Sequence, residues 1–365
     1  MPGAGSNLDD GQVHVMATLD RPAEMRLSLE PGEVELLAQG ARQCVRFDLV
    51  KNPEGFVSEA QRLVSCLPER LASRLRAFRR YGSHTGGLLV RGLPVFSVPP
   101  TPVSPQLAVG PTLDAAGLLG IISAVLGDQI GFRPELDGQI IQDIVPVAGQ
   151  ERTQQSVSSA DELYTHTELA FADDDYRADY LALFCLRADH DAVAATTLSP
   201  VEAVLPLLAR STIEILAQPR FKTTVDQSFL QGIGHDAPIW IGPIRALTLD
   251  TGRPRIRADF AETAGTDHAA QEALRELRAI AESVAVQVRL QPGDLLIVEN
   301  NHAFHGRTPF SARWDGLDRW LLRTSIVGYL ARSAAYRPGD TRVVDVDYRS
   351  PLAQLRHPEL VCVRR

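Results

Sequence analysis

A histidine and a glutamate separated by one residue, His166-Thr167-Glu168, lie in a stretch whose neighbours Tyr164, Ala170 and Phe171 favour an extended chain. In a strand, residues i and i+2 project to one face, so both side chains can reach the same ion. His305 offers a third ligand from Asn301-His-Ala-Phe-His305-Gly-Arg307, directly after the apolar run Leu295–Val298. Two imidazoles and a carboxylate on one side of a metal leave positions open for a co-substrate and dioxygen. That set suits iron(II) better than structural zinc, which closes its own shell. His166 alone would read as an ordinary core or surface histidine. Its weight comes from Arg319 and Arg323, two arginines in the otherwise apolar segment Arg319-Trp-Leu-Leu-Arg323. Such a pair is either an exposed barrel edge or a device for binding carboxylates, for which the planar guanidinium is suited.

These residues must be positioned by a chain of 365 residues, 44% hydrophobic and 22% charged, enough apolar material for an enzyme-sized core. The formal charge of −8, without a long Lys/Arg run, argues against nucleic-acid and membrane partners and favours a small-molecule substrate; a homo-oligomer stays open. The cysteines, Cys44, Cys66, Cys185 and Cys362, form no zinc-type pair and read as reduced thiols. With no secretory signal at the N-terminus, the expected location is the cytoplasm. Ala115–Leu126 is too short to span a bilayer and reads as a buried helix.

Residues 1–12, rich in Gly and Asp, are expected to be disordered. Helical spacing around Val34–Leu37, Leu63–Phe78 and 113–126 makes the chain mainly helical to about residue 130, interrupted by a strand at Gly87–Leu93 and the extended connector Val98–Pro105. From about 138 to 330 short turn-bounded runs, among them Gln139–Val147, Tyr164–Phe171, Asp179–Arg187, Ala194–Leu198, Asp294–Glu299 and Trp320–Gly328, predict a barrel or sandwich. Helical inserts are expected near 200–217 and at 267–290. The fold class is α+β, mainly β, with residues 13–365 as one domain. The polar stretch Val147–Glu162 is too long for a simple hairpin loop and is expected to act as a lid that keeps water from the site.

His166-Thr-Glu168-x-Ala-Phe, Asp179-Tyr-Leu-x-Leu-x-Cys-Leu-Arg187 and Glu299-Asn-x-x-Ala-x-His305-Gly-Arg307-x-x-Phe310, with Arg319, together resemble the clavaminate synthase-like iron(II)/2-oxoglutarate oxygenases over roughly residues 85–330. Within that family the chain is most similar to the hydroxylases of free arginine, asparagine and lysine. The resemblance implies a distorted double-stranded β-helix (jelly-roll) core with flanking helices. It implies His166, Glu168 and His305 as iron ligands and Arg319 as the partner of the 2-oxoglutarate carboxylate. Thr196, or else Thr197, would assist Arg319, and Arg323 would hold the carboxylate of the substrate. Glu135 is implied as the partner of the substrate ammonium, with Gln142 the other candidate. Asp259 corresponds to an acidic residue that contacts the substrate, and Asp226 lies in another stretch near the pocket, where a helix cap is the alternative.

Arginine and lysine hydroxylases are expected to carry a second Asp two residues before Asp259, where this chain has Arg257. A base there should weaken binding of a cationic side chain and bring asparagine, glutamine or citrulline into competition, unless Arg257 points away. The expected reaction is hydroxylation at C3 or C4 of a free L-α-amino acid in specialised metabolism, using iron(II), 2-oxoglutarate and O2 and releasing succinate and CO2. The rivals are a desaturase or oxidative cyclase of the same family and a non-catalytic jelly-roll binding protein.

Overall fold

The computed structural model describes residues 23–26, 28–105, 112–249 and 252–350. The disorder expected over residues 1–12 lies outside them. Two sheets organise the chain. The larger runs, in spatial order, Ala23–Arg26, Gly87–Arg91, Leu295–Glu299, Tyr180–Arg187, Trp320–Val327, Asp128–Phe132 and Val343–Val344, with Gln142–Ile144 also paired to Trp320–Val327. The smaller is an antiparallel set of Val286–Arg289, Ala195–Pro200, Ala303–Arg307 and Leu163–His166.

Side-chain alternation explains how the large sheet is buried on both faces. Leu88, Val90, Ala182, Phe184, Leu186, Leu295, Ile297 and Leu322 pack into one core with four helices, Pro31–Cys44, Pro53–Arg62, Glu69–Tyr81 and Thr112–Leu126. Leu89, Leu181, Leu183, Leu296, Val298 and Leu321, on the other face, join Leu198, Val288 and Ala303 of the small sheet in a second core between the sheets. The outward face of the small sheet is covered in turn: Phe304 packs with Leu277 and Ala281 of the helix His268–Ser283, and Ser199 Oγ donates to Ala281 O at 2.7 Å.

Thr112–Leu126 is apolar all round because helices and sheet surround it. Close crossing is possible at Gly117, where a Cβ would lie 2.3 Å from Ala41 O. No helix among the described residues is long and apolar enough to cross a membrane.

Several expected elements differ, among them the strand expected over Gln139–Val147, of which only Gln142–Ile144 is paired. The helical run expected over Leu63–Phe78 is broken by Pro68, which lacks an N–H and stands as N-cap of Glu69–Tyr81. The helix expected over 267–290 stops at Ser283, and the alternating Val286-Gln-Val-Arg289 becomes an edge strand. The strand expected over Tyr164–Phe171 ends at His166.

Candidate active site

His166 and His305 are directly paired across neighbouring strands of the small sheet, their ring centroids 4.3 Å apart. Beyond His166 the sheet has ended and the chain turns at Glu168–Phe171, with Leu169 at φ 53°. Thr167 N donates to Ala258 O at 2.8 Å, and Asn300 Oδ1 accepts from Glu168 N at 2.7 Å. Asn300 Nδ2 donates to Glu168 O at 3.1 Å and Ala178 O at 3.0 Å, which clamps the backbone on both sides of Glu168. The i, i+2 geometry therefore survives, supported by Ala258 and Asn300 in place of a continuing strand. Asn300 is a positioning residue that the sequence showed only as one position of a motif.

One ligand atom from each of His166, Glu168 and His305 lies within 4.8 Å of the others. Glu168 Oε2 is 3.8 Å from His166 Nε2 and 3.4 Å from His305 Nε2, while Arg323 Nη1 holds Oε1 at 2.9 Å. The carboxylate thus has one oxygen anchored and one facing the imidazoles. His166 Nδ1 lies 2.7 Å from Tyr164 O, a contact that orients the ring with Nε2 inward. Burial opposes protonation of His166, but Glu168 and Asp259 raise its pKa to about 9; burial and the neighbouring His166 push His305 down to about 4. Burial disfavours the charged form of Glu168, yet Arg323 and the two histidines hold its pKa well below the usual range. Two ring nitrogens and one carboxylate oxygen thus converge on one point. A metal dication fits that donor set, and its open side would face the cavity.

The cavity has a volume of about 460 Å³ and lies at the mouth of the inter-sheet space. Leu321 and Arg323 share one phase of the Trp320–Val327 strand, Arg319 stands just before it, and all three line the cavity. Arg319 is 7% exposed and forms no hydrogen bond or ion pair with a described residue. Its nearest feature is the Phe310 ring, 5.9 Å from the guanidinium carbon. Arg323 is saturated by contrast. It donates to Glu168, to Glu135 Oε1 at 2.6 Å and, from Nε, to Gln142 Oε1 at 3.1 Å, and Gln142 Nε2 donates back to Glu135 Oε2 at 3.1 Å. Thr196, opposite Arg307 in register, lines the cavity, whereas Thr197 alternates to the other face.

Asp226 and Asp259 face the same space. Asp226 precedes the short helix Gln227–Gly232, but its side chain makes no cap hydrogen bond. Its carboxyl is raised well above the ordinary range, first by burial and then by Asp259 and Glu168. Asp259 is also raised by burial, against the pull of His166. Arg257 corrects the expectation of a base in the pocket. It is not among the lining residues; its Nε donates to Ala170 O at 2.6 Å, and its charge is met by Asp174 and Asp173 behind the site. Residues 147–162 supply one wall through Val147, Gln150, Gln154, Gln155, Ser156 and Val157. Arg307, a second residue given no role by sequence, ties this loop to the sheet through Ser158, Ser159 and Asp161.

The chain is 41% identical to L-asparagine oxygenase of Streptomyces coelicolor over 79% of its own length and 85% of the relative's. It is 36% identical to L-lysine 3-hydroxylase of Catenulispora acidiphila over 80% of its length and 81% of the relative's. A solved structure of asparagine oxygenase in complex with Fe(II), 2S,3S-3-hydroxyasparagine and succinate superposes with a TM-score of 0.79 at 35% identity, covering 89% of this chain and 99% of that one. The family model described as "Taurine catabolism dioxygenase TauD, TfdA family" matches residues 67–325, and the chain belongs to that family of iron(II)/2-oxoglutarate-dependent oxygenases.

Proposed function

We propose that the chain hydroxylates C3 or C4 of a free L-α-amino acid with a cationic side chain, in specialised metabolism, with conversion of 2-oxoglutarate to succinate and CO2. The observation that carries this reading is the content of one cavity: three metal-ligating side chains, a buried arginine with no hydrogen bond or ion pair among the described residues, a buried acid–arginine pair, and two carboxylates that form no ion pair with a described arginine or lysine. Iron(II) held by His166, Glu168 and His305 would supply, with 2-oxoglutarate and O2, the oxidising power to break an unactivated C–H bond, chemistry no side chain here can perform.

The residues of the chain do the rest. Arg319, assisted by the Thr196 hydroxyl, takes the far carboxylate of 2-oxoglutarate in a charge-assisted, bidentate contact. An α-amino acid carries both charges of an ion pair, so it can insert between Glu135 and Arg323. Its ammonium takes Glu135 and Gln142, and its carboxylate takes Arg323, so that one ion pair is exchanged for two. Asp226 and Asp259 receive the far end of the side chain. With Arg257 turned to Asp173 and Asp174, its charge does not oppose a cation there. The 147–162 loop excludes water, which strengthens each of these contacts.

The two facing sheets support the reading of a distorted double-stranded β-helix (jelly-roll) with flanking helices in one domain. The free thiols Cys44, Cys66 and Cys185 support a reducing, cytoplasmic setting. The test is a panel of L-arginine, L-lysine and L-ornithine against L-citrulline and L-asparagine, with iron(II), ascorbate and 2-oxoglutarate, read by mass spectrometry. A cationic amino acid should gain one oxygen with stoichiometric succinate. Preferred turnover of citrulline or asparagine would overturn the cationic assignment, and loss of two hydrogens would make the enzyme a desaturase or cyclase.

A further inference from the structure

His305 and Arg307 both line the cavity from the strand Ala303–Arg307. Arg307, 4% exposed, leaves the sheet and enters the 147–162 loop. Its Nη2 donates to Ser158 Oγ at 2.8 Å and Asp161 O at 3.2 Å, and its Nη1 donates to Ser159 O at 3.1 Å and Thr308 O at 2.9 Å. Phe310 N donates to the same Ser159 O at 2.8 Å, so the chain just beyond the strand fastens the loop a second time. All four acceptors of Arg307 are neutral oxygens.

The Phe310 ring is close to two cations. The guanidinium carbon of Arg307 is 5.1 Å from its centroid and that of Arg319 is 5.9 Å. The ring offers each a modest attraction. Neither guanidinium forms an ion pair with a described carboxylate, and like charges repel strongly away from water. An anion bound at Arg319 attracts both. The guanidinium that fastens the loop therefore feels whether the carboxylate subsite is filled, although it need not touch the ligand.

We infer that Arg307 is a positioning residue that makes closure of the 147–162 loop depend on a carboxylate at Arg319, through the guanidinium stack on Phe310. The far carboxylate of 2-oxoglutarate offsets the repulsion between the two arginines and so tightens the loop over the cavity before the amino acid is oxidised. This inference rests on Arg319 binding 2-oxoglutarate as proposed above. Linkage is reciprocal, so a closed loop must hold 2-oxoglutarate more tightly by the same factor.

Hydrogen exchange of residues 147–162 in the iron(II)-loaded, oxygen-free protein, with and without 2-oxoglutarate, tests the tie, with calorimetry giving Kd in parallel. In the wild type 2-oxoglutarate should slow exchange of the loop by about fivefold or more. In Arg307→Gln the loop should exchange equally with and without it, and Kd should rise by a similar factor. Ser158→Ala, which deletes one acceptor and leaves both charges in place, should show less ligand-dependent protection than the wild type. Undiminished protection in Arg307→Gln, or in Ser158→Ala should Arg307→Gln fail to fold, would overturn the inference. Binding of 2-oxoglutarate by the wild type without loop protection would overturn the tie alone, and no binding at all would overturn the role of Arg319 with it.

Discussion

The two ends of the cavity are built on opposite electrostatic plans. At the metal end the charges are interlocked: Glu168 is held by Arg323, Arg323 by Glu135 and Gln142, and the backbone of Glu168 by Asn300. Beyond it Asp226 and Asp259 face the cavity, where Asp259 adds to the cost of charging Asp226 and, among the described residues, neither forms an ion pair with an arginine or lysine, His166 alone pulling against the rise of both. Arg319 is the mirror case, a buried cation with no ion pair among the described residues. The interlocked end can be assembled before any ligand arrives. The unmatched groups carry a desolvation cost that only a ligand of opposite charge removes, so they report what the ligand is.

The metal end should give the largest effects. His166→Ala removes one of three ligands, and succinate formation should fall by several kcal/mol of lost stabilisation, about a thousand-fold or more; near-normal turnover would break the triad assignment. Arg319→Met should raise the KM for 2-oxoglutarate by about 10- to 100-fold, from a charged contact of about 1.5–3 kcal/mol, with little change in the KM of the amino acid. Because Arg319 is unpaired, the same change should leave the ligand-free Tm equal or higher, whereas Arg323→Met should lower it by stranding Glu168 and Glu135. Asn300→Ala should weaken iron binding by about 10- to 100-fold while the ligands stay in place, measured as the iron concentration for half-maximal succinate formation.

The same contrast marks what could be read from the sequence. His166, Glu168, His305 and Arg319 were legible because each lies on or beside a strand, where a period of two fixes the facing side, and the apolar flanks of Leu295–Val298 and Trp320–Leu322 identify the strands. Thr196 was separable from Thr197 only once the register against Arg307 was known. Arg257 was misjudged for a related reason. It follows a short, two-residue pairing, Arg255–Ile256, at the point where the chain leaves the strand, and strand phase no longer predicts direction. Asn300 and Arg307 were visible as letters of a motif, but their roles depend on Glu168 and the 147–162 loop, which are far away in sequence. The edge strand Val286–Arg289 was absorbed into the preceding helix because four residues are too few to outweigh a strong helical period.

The outer end should give the smallest effects but the most specific ones. Burial, Asp259 and Glu168 raise the Asp226 carboxyl, with Glu135 adding to them and His166 opposing them. A folded pKa above the unfolded one means that the native state holds the proton more tightly. Asp226 therefore supports the ligand-free fold at low pH and withdraws that support as pH rises through its folded value. A cationic side chain needs the ionised form, so its KM should fall as pH rises over the same interval, while the KM of a neutral isostere stays flat. Asp226→Asn should remove the slope, raise the ligand-free Tm on the alkaline side and narrow the preference for arginine over citrulline by about tenfold or less, the size of one charged contact partly exposed to solvent. A slope that persists in Asp226→Asn and disappears in Asp259→Asn would move the titrating group to Asp259 and keep the cationic substrate. A slope absent from the wild type would leave the outer acids without a ligand charge to explain them.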